Sequence, residues 1–81
     1  MLPRRYLVVA LNDDPPQSMF GRTIVLDSRH TILGDRAYME SAVDLAQRGV
    51  DTTGSSYRYA MVLDRDDGFL AVAEVEREDA R

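Results

Sequence analysis

The chain has no cysteine and no lysine. Without cysteine there is no disulfide to staple the fold, no thiolate nucleophile and no thiolate to hold a metal. Without lysine, every basic side chain is one of ten arginines, outnumbered by fourteen acids for a net charge of −4. The arginines are interleaved with acids rather than clustered, which disfavours direct binding to a phosphate backbone. The absence of lysine fits the codon bias of a GC-rich genome. A short, motif-free chain of this kind points to a bacterial or phage accessory protein.

Long apolar runs are missing too. None approaches the ~20 residues that span a bilayer. The apolar run at residues 7–11 follows Arg4 and Arg5 and is too short for a signal-peptide core. The expectation is a soluble cytoplasmic protein, in the host cytoplasm if the source is a phage, with no membrane contact. At 81 residues it is expected to be a single small globular domain, 1–81, with a thin stability margin, because a chain of this size buries only ~60% of its unfolded surface.

What is present is strand-type sequence. Residues 57–63 and 69–75 are two such runs around Asp64-Arg65-Asp66-Asp67-Gly68, which is turn chemistry. A three-residue loop with Gly68 in the left-handed region pairs Arg65 with Phe69, Leu63 with Ala71, Met61 with Ala73 and Tyr59 with Val75; a four-residue loop would shift the pairing by one and flip a strand's faces. Residues 5–11 form a first strand, apolar on both faces and therefore interior. Asp13-Asp14-Pro15-Pro16 ends it, since proline cannot donate to a ladder. A loop over residues 12–21 carries Met19 and Phe20 as candidate contacts. Residues 22–27 alternate as a second strand, with Ile24 and Leu26 on one side. Residues 31–33 either extend it past a bend at residues 28–30 or lead into a helix. Residues 35–48 have helical spacing, with Tyr38, Met39, Ala42, Val43, Leu45 and Ala46 on one face and Val50 just past the end. Asp35 is the expected N-cap and Gly49 the C-cap. The fold class is α+β: a mostly antiparallel four-stranded sheet in the order β-β-α-β-β with one helix packed on one face.

Candidates for chemistry are few. The single histidine, His30, sits at a polar bend without a nucleophile beside it, and its role is open. No serine lies in a nucleophile elbow. The Asp64–Gly68 segment resembles a calcium loop only in part: its glycine is at the fifth position rather than the sixth, and Val75 stands where a ligand is required. The five glycines are spread one per junction, with no phosphate-binding loop. Tyr57 and Tyr59 share a strand face and read as packing residues. No catalytic residue, metal ligand or cofactor site is assigned.

The remaining signal is one of covering. One sheet face carries Leu7, Val9, Leu11, Ile24, Leu26, Tyr59, Met61, Leu63, Phe69, Ala71 and Val75, and the helix is expected there. The other carries Tyr6, Val8, Ala10, Val25, Ala60, Val62, Leu70 and Val72, with Thr23, Asp27, Arg58, Glu74 and Glu76 toward its ends. An apolar centre with a polar rim is interface anatomy. One helix covers one face, so the second packs on a twofold mate, binds a different protein, or curls to close partly on itself in a self-sufficient monomer. At roughly 25 cal/mol per Å2, sheltering the second is worth several kcal/mol before association costs. Tyr6, Val8, Val25, Val62, Leu70 and Val72 are therefore the candidate interface of a non-enzymatic homodimer or protein-binding module. Two alternatives stand beside it. One is an acidic nucleic-acid mimic built from Asp64, Asp66, Asp67, Glu74, Glu76 and Glu78. The other is a small ligand-binding domain or enzyme, with His30 or Tyr38 at the mouth of a pocket between helix and sheet.

Overall fold

The computed structural model describes residues 3–51, 54 and 56–77. The elements are β1 (Tyr6–Leu11), β2 (Thr31–Arg36), α1 (Met39–Asp51), β3 (Tyr59–Asp64) and β4 (Leu70–Glu76), with one 3-10 turn at Arg65–Asp67. They form one four-stranded antiparallel sheet in the order β2-β1-β3-β4 and one helix, a small α+β fold of β-β-α-β-β order. Among the described residues no helix is long and apolar enough to cross a membrane. Glu78, Asp79 and part of the polar linker before β3 (Thr52, Thr53 and Ser55) lie outside the described residues.

β1 and β3 are the central strands, and residues 7–10 of the first and 59–63 of the second are buried on both faces. The second strand is not where alternation placed it. Residues 22–27 make only one isolated bridge, Thr23 to Leu70, while β2 begins at Thr31. β1 needs a partner along its second edge, and residues 31–36 supply the ladder, with Leu7 opposite Asp35 and Ala10 opposite Thr31. That pairing consumes Asp35, so it does not cap the helix. α1 starts at Met39, with the amide of Ala42 donating to the carbonyl of Tyr38 at 3.1 Å. Nor does Gly49 end the helix, which runs on to Asp51. Gly49 instead leaves room for β2: a β-carbon there would stand 2.5 Å from Leu33 Cδ1.

The hairpin turn forms as its residues imply. The carboxylate of Asp64 accepts from the amide of Asp66 at 3.0 Å, and Gly68 closes the turn in the left-handed region at φ 64°. Phe69 shares that conformation, at φ 64°, which is costly for a bulky residue. It is held on both sides, by its amide donating to Asp64 (2.9 Å) and its carbonyl accepting from Ile24 (3.1 Å). Leu63 lies opposite Ala71, as expected. Beyond that pair the register slips by one at a bulge between Val62 and Leu63, so Val62 faces Ala73, Met61 faces Glu74 and Tyr59 faces Glu76. A bulge puts two residues against one and re-aims every side chain beyond it. Here it turns Ala73 and Val75 toward α1, and brings Glu74 to the opposite side, where its carboxylate meets the Tyr59 hydroxyl.

The largest correction concerns the faces. Their division into two apolar sets is close to that read from alternation, but α1 lies on the other one. Ala42, Ala46 and Val50 pack on Val8, Ala10, Ala60 and Val62. The Leu7, Val9, Tyr59, Met61 and Leu63 face is sheltered by residues 12–30, which cross it as a strap and send down Met19, Ile24 and Leu26. Both faces are covered by the same chain.

Candidate functional site

The strap is the least regular part of the molecule, and hydrogen bonds position it. Gly21 donates to Ala71 (2.8 Å), Ala71 to Arg22 (2.8 Å) and Ile24 to Phe69 (3.1 Å), so residues 21–24 lie along the outer edge of β4. A second anchor is Glu74. Its carboxylate accepts from the Ser18 hydroxyl, from the Tyr59 hydroxyl and from the amide of Met19 at 3.2 Å. The Ser18 and Tyr59 donors hold the Glu74 carboxyl below its ordinary range. Burial, followed by the nearby Glu74, pushes the Tyr59 phenol well above its own.

The strap returns to β2 through a tight turn. His30 donates its amide to the Asp27 carbonyl at 3.1 Å, and its ring Nδ1 lies 3.0 Å from Asp27 Oδ1 and 3.1 Å from the Asp27 amide. The His30 side chain is only 6% exposed. Arg29 grips the same carboxylate, with Nη2 at 2.9 Å from Oδ2 and its backbone amide at 2.9 Å from Oδ1. These contacts hold the Asp27 carboxyl far below the usual carboxylate range. His30 is thus a wall and brace of the returning limb. The pocket expected beside it does not lie between helix and sheet: a cleft of about 490 Å3 opens between the two limbs of the strap, lined by residues 11–17 and 28–31 with Met19 and Arg22.

The opposite end of the sheet is tied by Arg5, whose Nε and Nη2 each lie 2.8 Å from the Asp64 carboxylate. This forked pair lowers the Asp64 pKa and joins the start of β1 to the end of β3. Of the acids proposed as a nucleic-acid mimic, Asp64 and Glu74 are therefore engaged internally. Glu78 lies outside the described residues.

The candidate interface residues are dispersed. Val8 and Val62 have no exposed surface and lie beneath α1, so they are not available for contact. Tyr6, Leu70 and Val72 are half-buried. Val25 is 82% exposed, but on the outer side of the strap rather than on the sheet. Of the two loop residues, Met19 packs inward and Phe20 is 62% exposed. Alternation along a strand cannot say which face a helix will take, and that is why Val8 and Val62 were misjudged.

Sequence reasoning missed an edge. The outer side of β4 is partly closed by residues 21–24, whereas β2 ends the sheet and no other strand pairs with its outer edge among the described residues. Ile32 of β2 is 58% exposed, and Tyr38, expected in the buried helical stripe, stands just before α1 and is 61% exposed. The signal was the unassigned run at residues 31–33, whose apolar pair Ile32-Leu33 must split between two faces in a strand. No protein-family model, curated protein or solved structure matches the chain.

Proposed function

We propose that this chain is a small non-enzymatic interaction module that self-associates through the open edge of β2. The carrying observation is the asymmetry of the sheet: the strap closes part of one edge, and among the described residues no strand pairs with the outer edge of β2, which carries the exposed Ile32. An unpaired strand edge is a template for another strand. A second copy offers the same edge, and antiparallel strands related by a twofold axis are self-complementary. The bulge between Val8 and Val9 kinks the β1–β2 ladder near Gly34. It shortens the regular part of the edge and makes the contact small and reversible. This replaces the sheet face as the contact surface and keeps association as the function.

Light scattering across a protein concentration series tests it. The expected result is a mass that rises from monomer toward dimer, and an Ile32→Arg variant that stays monomeric with an unchanged melting temperature. A wild-type protein that remains monomeric at the highest concentration, or a variant that dimerises equally well, overturns the reading.

A further inference from the structure

The cleft between the limbs of the strap has a property independent of the β2 edge. Four carboxylates and basic side chains near it are already matched: Asp14 lies 3.6 Å from Arg58, and Asp27 lies 2.9 Å from Arg29. Two charged residues of the wall are not. Asp13 and Arg22 both line the cleft, and among the described residues neither side chain makes a hydrogen bond or an ion pair, with each other or with any other group. One charge of each sign is left facing the same concavity. Leu11, Pro15, Pro16 and Met19 contribute apolar surface to a wall otherwise lined by polar residues.

From this juxtaposition we infer that the cleft is a binding site for a zwitterion with a small apolar body, of the class of a free amino acid with an aliphatic side chain. Arg22 offers a guanidinium fork, which suits a carboxylate. Asp13 offers acceptors to an ammonium group, which has only donors. The volume of about 490 Å3 falls within the ~300–1,000 Å3 of small-molecule sites. The walls are held before a ligand arrives: two consecutive prolines restrict the outgoing limb, and the Asp27–His30 turn braces the returning one. Preorganisation of this kind lowers the ordering cost of binding. Both charged side chains are exposed to water, so each contact is screened and the affinity is on the order of millimolar.

The test is a titration of isotope-labelled protein followed by amide chemical shifts, with L-leucine in one arm, isovalerate in a second and isoamylamine in a third. The expected result is saturable movement of the Asn12, Ser28, Arg29 and His30 amides with leucine, and binding roughly fivefold weaker for each single-charge analogue. Arg22→Gln and Asp13→Asn each weaken leucine by a similar roughly fivefold factor and leave the amides of α1 unmoved, which shows that the fold is intact. No saturable shift with leucine overturns the inference. So does equal binding of isovalerate, which would make the cleft a simple anion site, or indifference of leucine binding to both substitutions. None of these outcomes bears on dimerisation through β2.

Discussion

Against α1 the sheet presents Val8, Ala10, Ala60 and Val62, and against the strap it presents Leu7, Val9, Tyr59, Met61 and Leu63. The difference in size matches the difference in cover. A helix satisfies most of its own backbone, so it asks of the sheet only an apolar surface. The small residues Ala42 and Ala46 let it settle close to Ala10 and Ala60. The strap satisfies only part of its backbone internally, as at Arg22 to Met19 and His30 to Asp27, and a buried polar group left unpaired is costly. It therefore needs partners as well as apolar contact. The β4 edge supplies backbone partners, and the β4 bulge delivers Glu74 to three donors. Large side chains from the sheet fill the space beneath a cover that brings few of its own.

This contrast can be broken from either side, starting with the largest expected effect. Leu63→Ala removes a fully buried side chain beneath the strap and is expected to cost about 3 kcal/mol in denaturant unfolding. A loss below about 1 kcal/mol would mean that the strap collapses onto the gap and is not a shaped cover. On the other face, Ala46→Leu inserts three carbons where helix and sheet already touch. It is expected to cost about 2 kcal/mol by overpacking, again measured by denaturant unfolding, and a neutral result would show that α1 is loosely seated.

Glu74→Gln sharpens the comparison with a smaller change. It weakens the anchor while leaving the apolar contacts in place, for an expected loss of about 1 kcal/mol. Hydrogen exchange should report it unevenly, with faster exchange at Met19 and Gly21 and little change in α1. Uniform acceleration would mean that the two covers open together. The least effect is expected from pH. The folded Glu74 carboxyl titrates below its ordinary value, so its contribution is fully present above the unfolded value near ~4 and is lost as pH falls through the folded value. Tyr59 runs the other way. Its raised phenol gives a contribution fully present below the unfolded value near ~10 and lost as pH rises through the folded one. In thermal melts against pH, Tyr59→Phe should flatten the alkaline decline and leave most of the acid one, to which Asp64 also contributes.

Much of this architecture was legible before any coordinates. Apolar residues on both sides marked residues 5–11 as an interior strand, the runs at 57–63 and 69–75 marked a hairpin, and Gly68 marked its turn; that the first hairpin strand is central and the second an edge came from the structure. The misplaced second strand has a specific cause. Residues 22–27 alternate well, and they do lie extended along β4, with Ile24 buried and Val25 exposed, but a single bridge is all they make. Alternation reports which side of an extended segment is sheltered, and not whether a full ladder runs beside it. The cleft was illegible for a related reason. Asp13 and Arg22 are nine positions apart on a loop without periodicity, and only the path of the strap brings them to one concavity.

The sequence by itself determined which residues share a sheet face, because side chains alternate with a period of two wherever the chain is extended. It also determined that the first strand and both hairpin strands carry apolar residues on both faces, without saying what covers the second face. Which face α1 takes was decided only in three dimensions. β2 and β3 run parallel with β1 between them, so the helix that joins them is a crossover, and its side follows from the chirality of such connections rather than from the hydrophobic pattern. The one extra residue in β4 was decided there as well, since a bulge exists only relative to a partner strand. It gave Glu74 to the strap and Val75 to the helix.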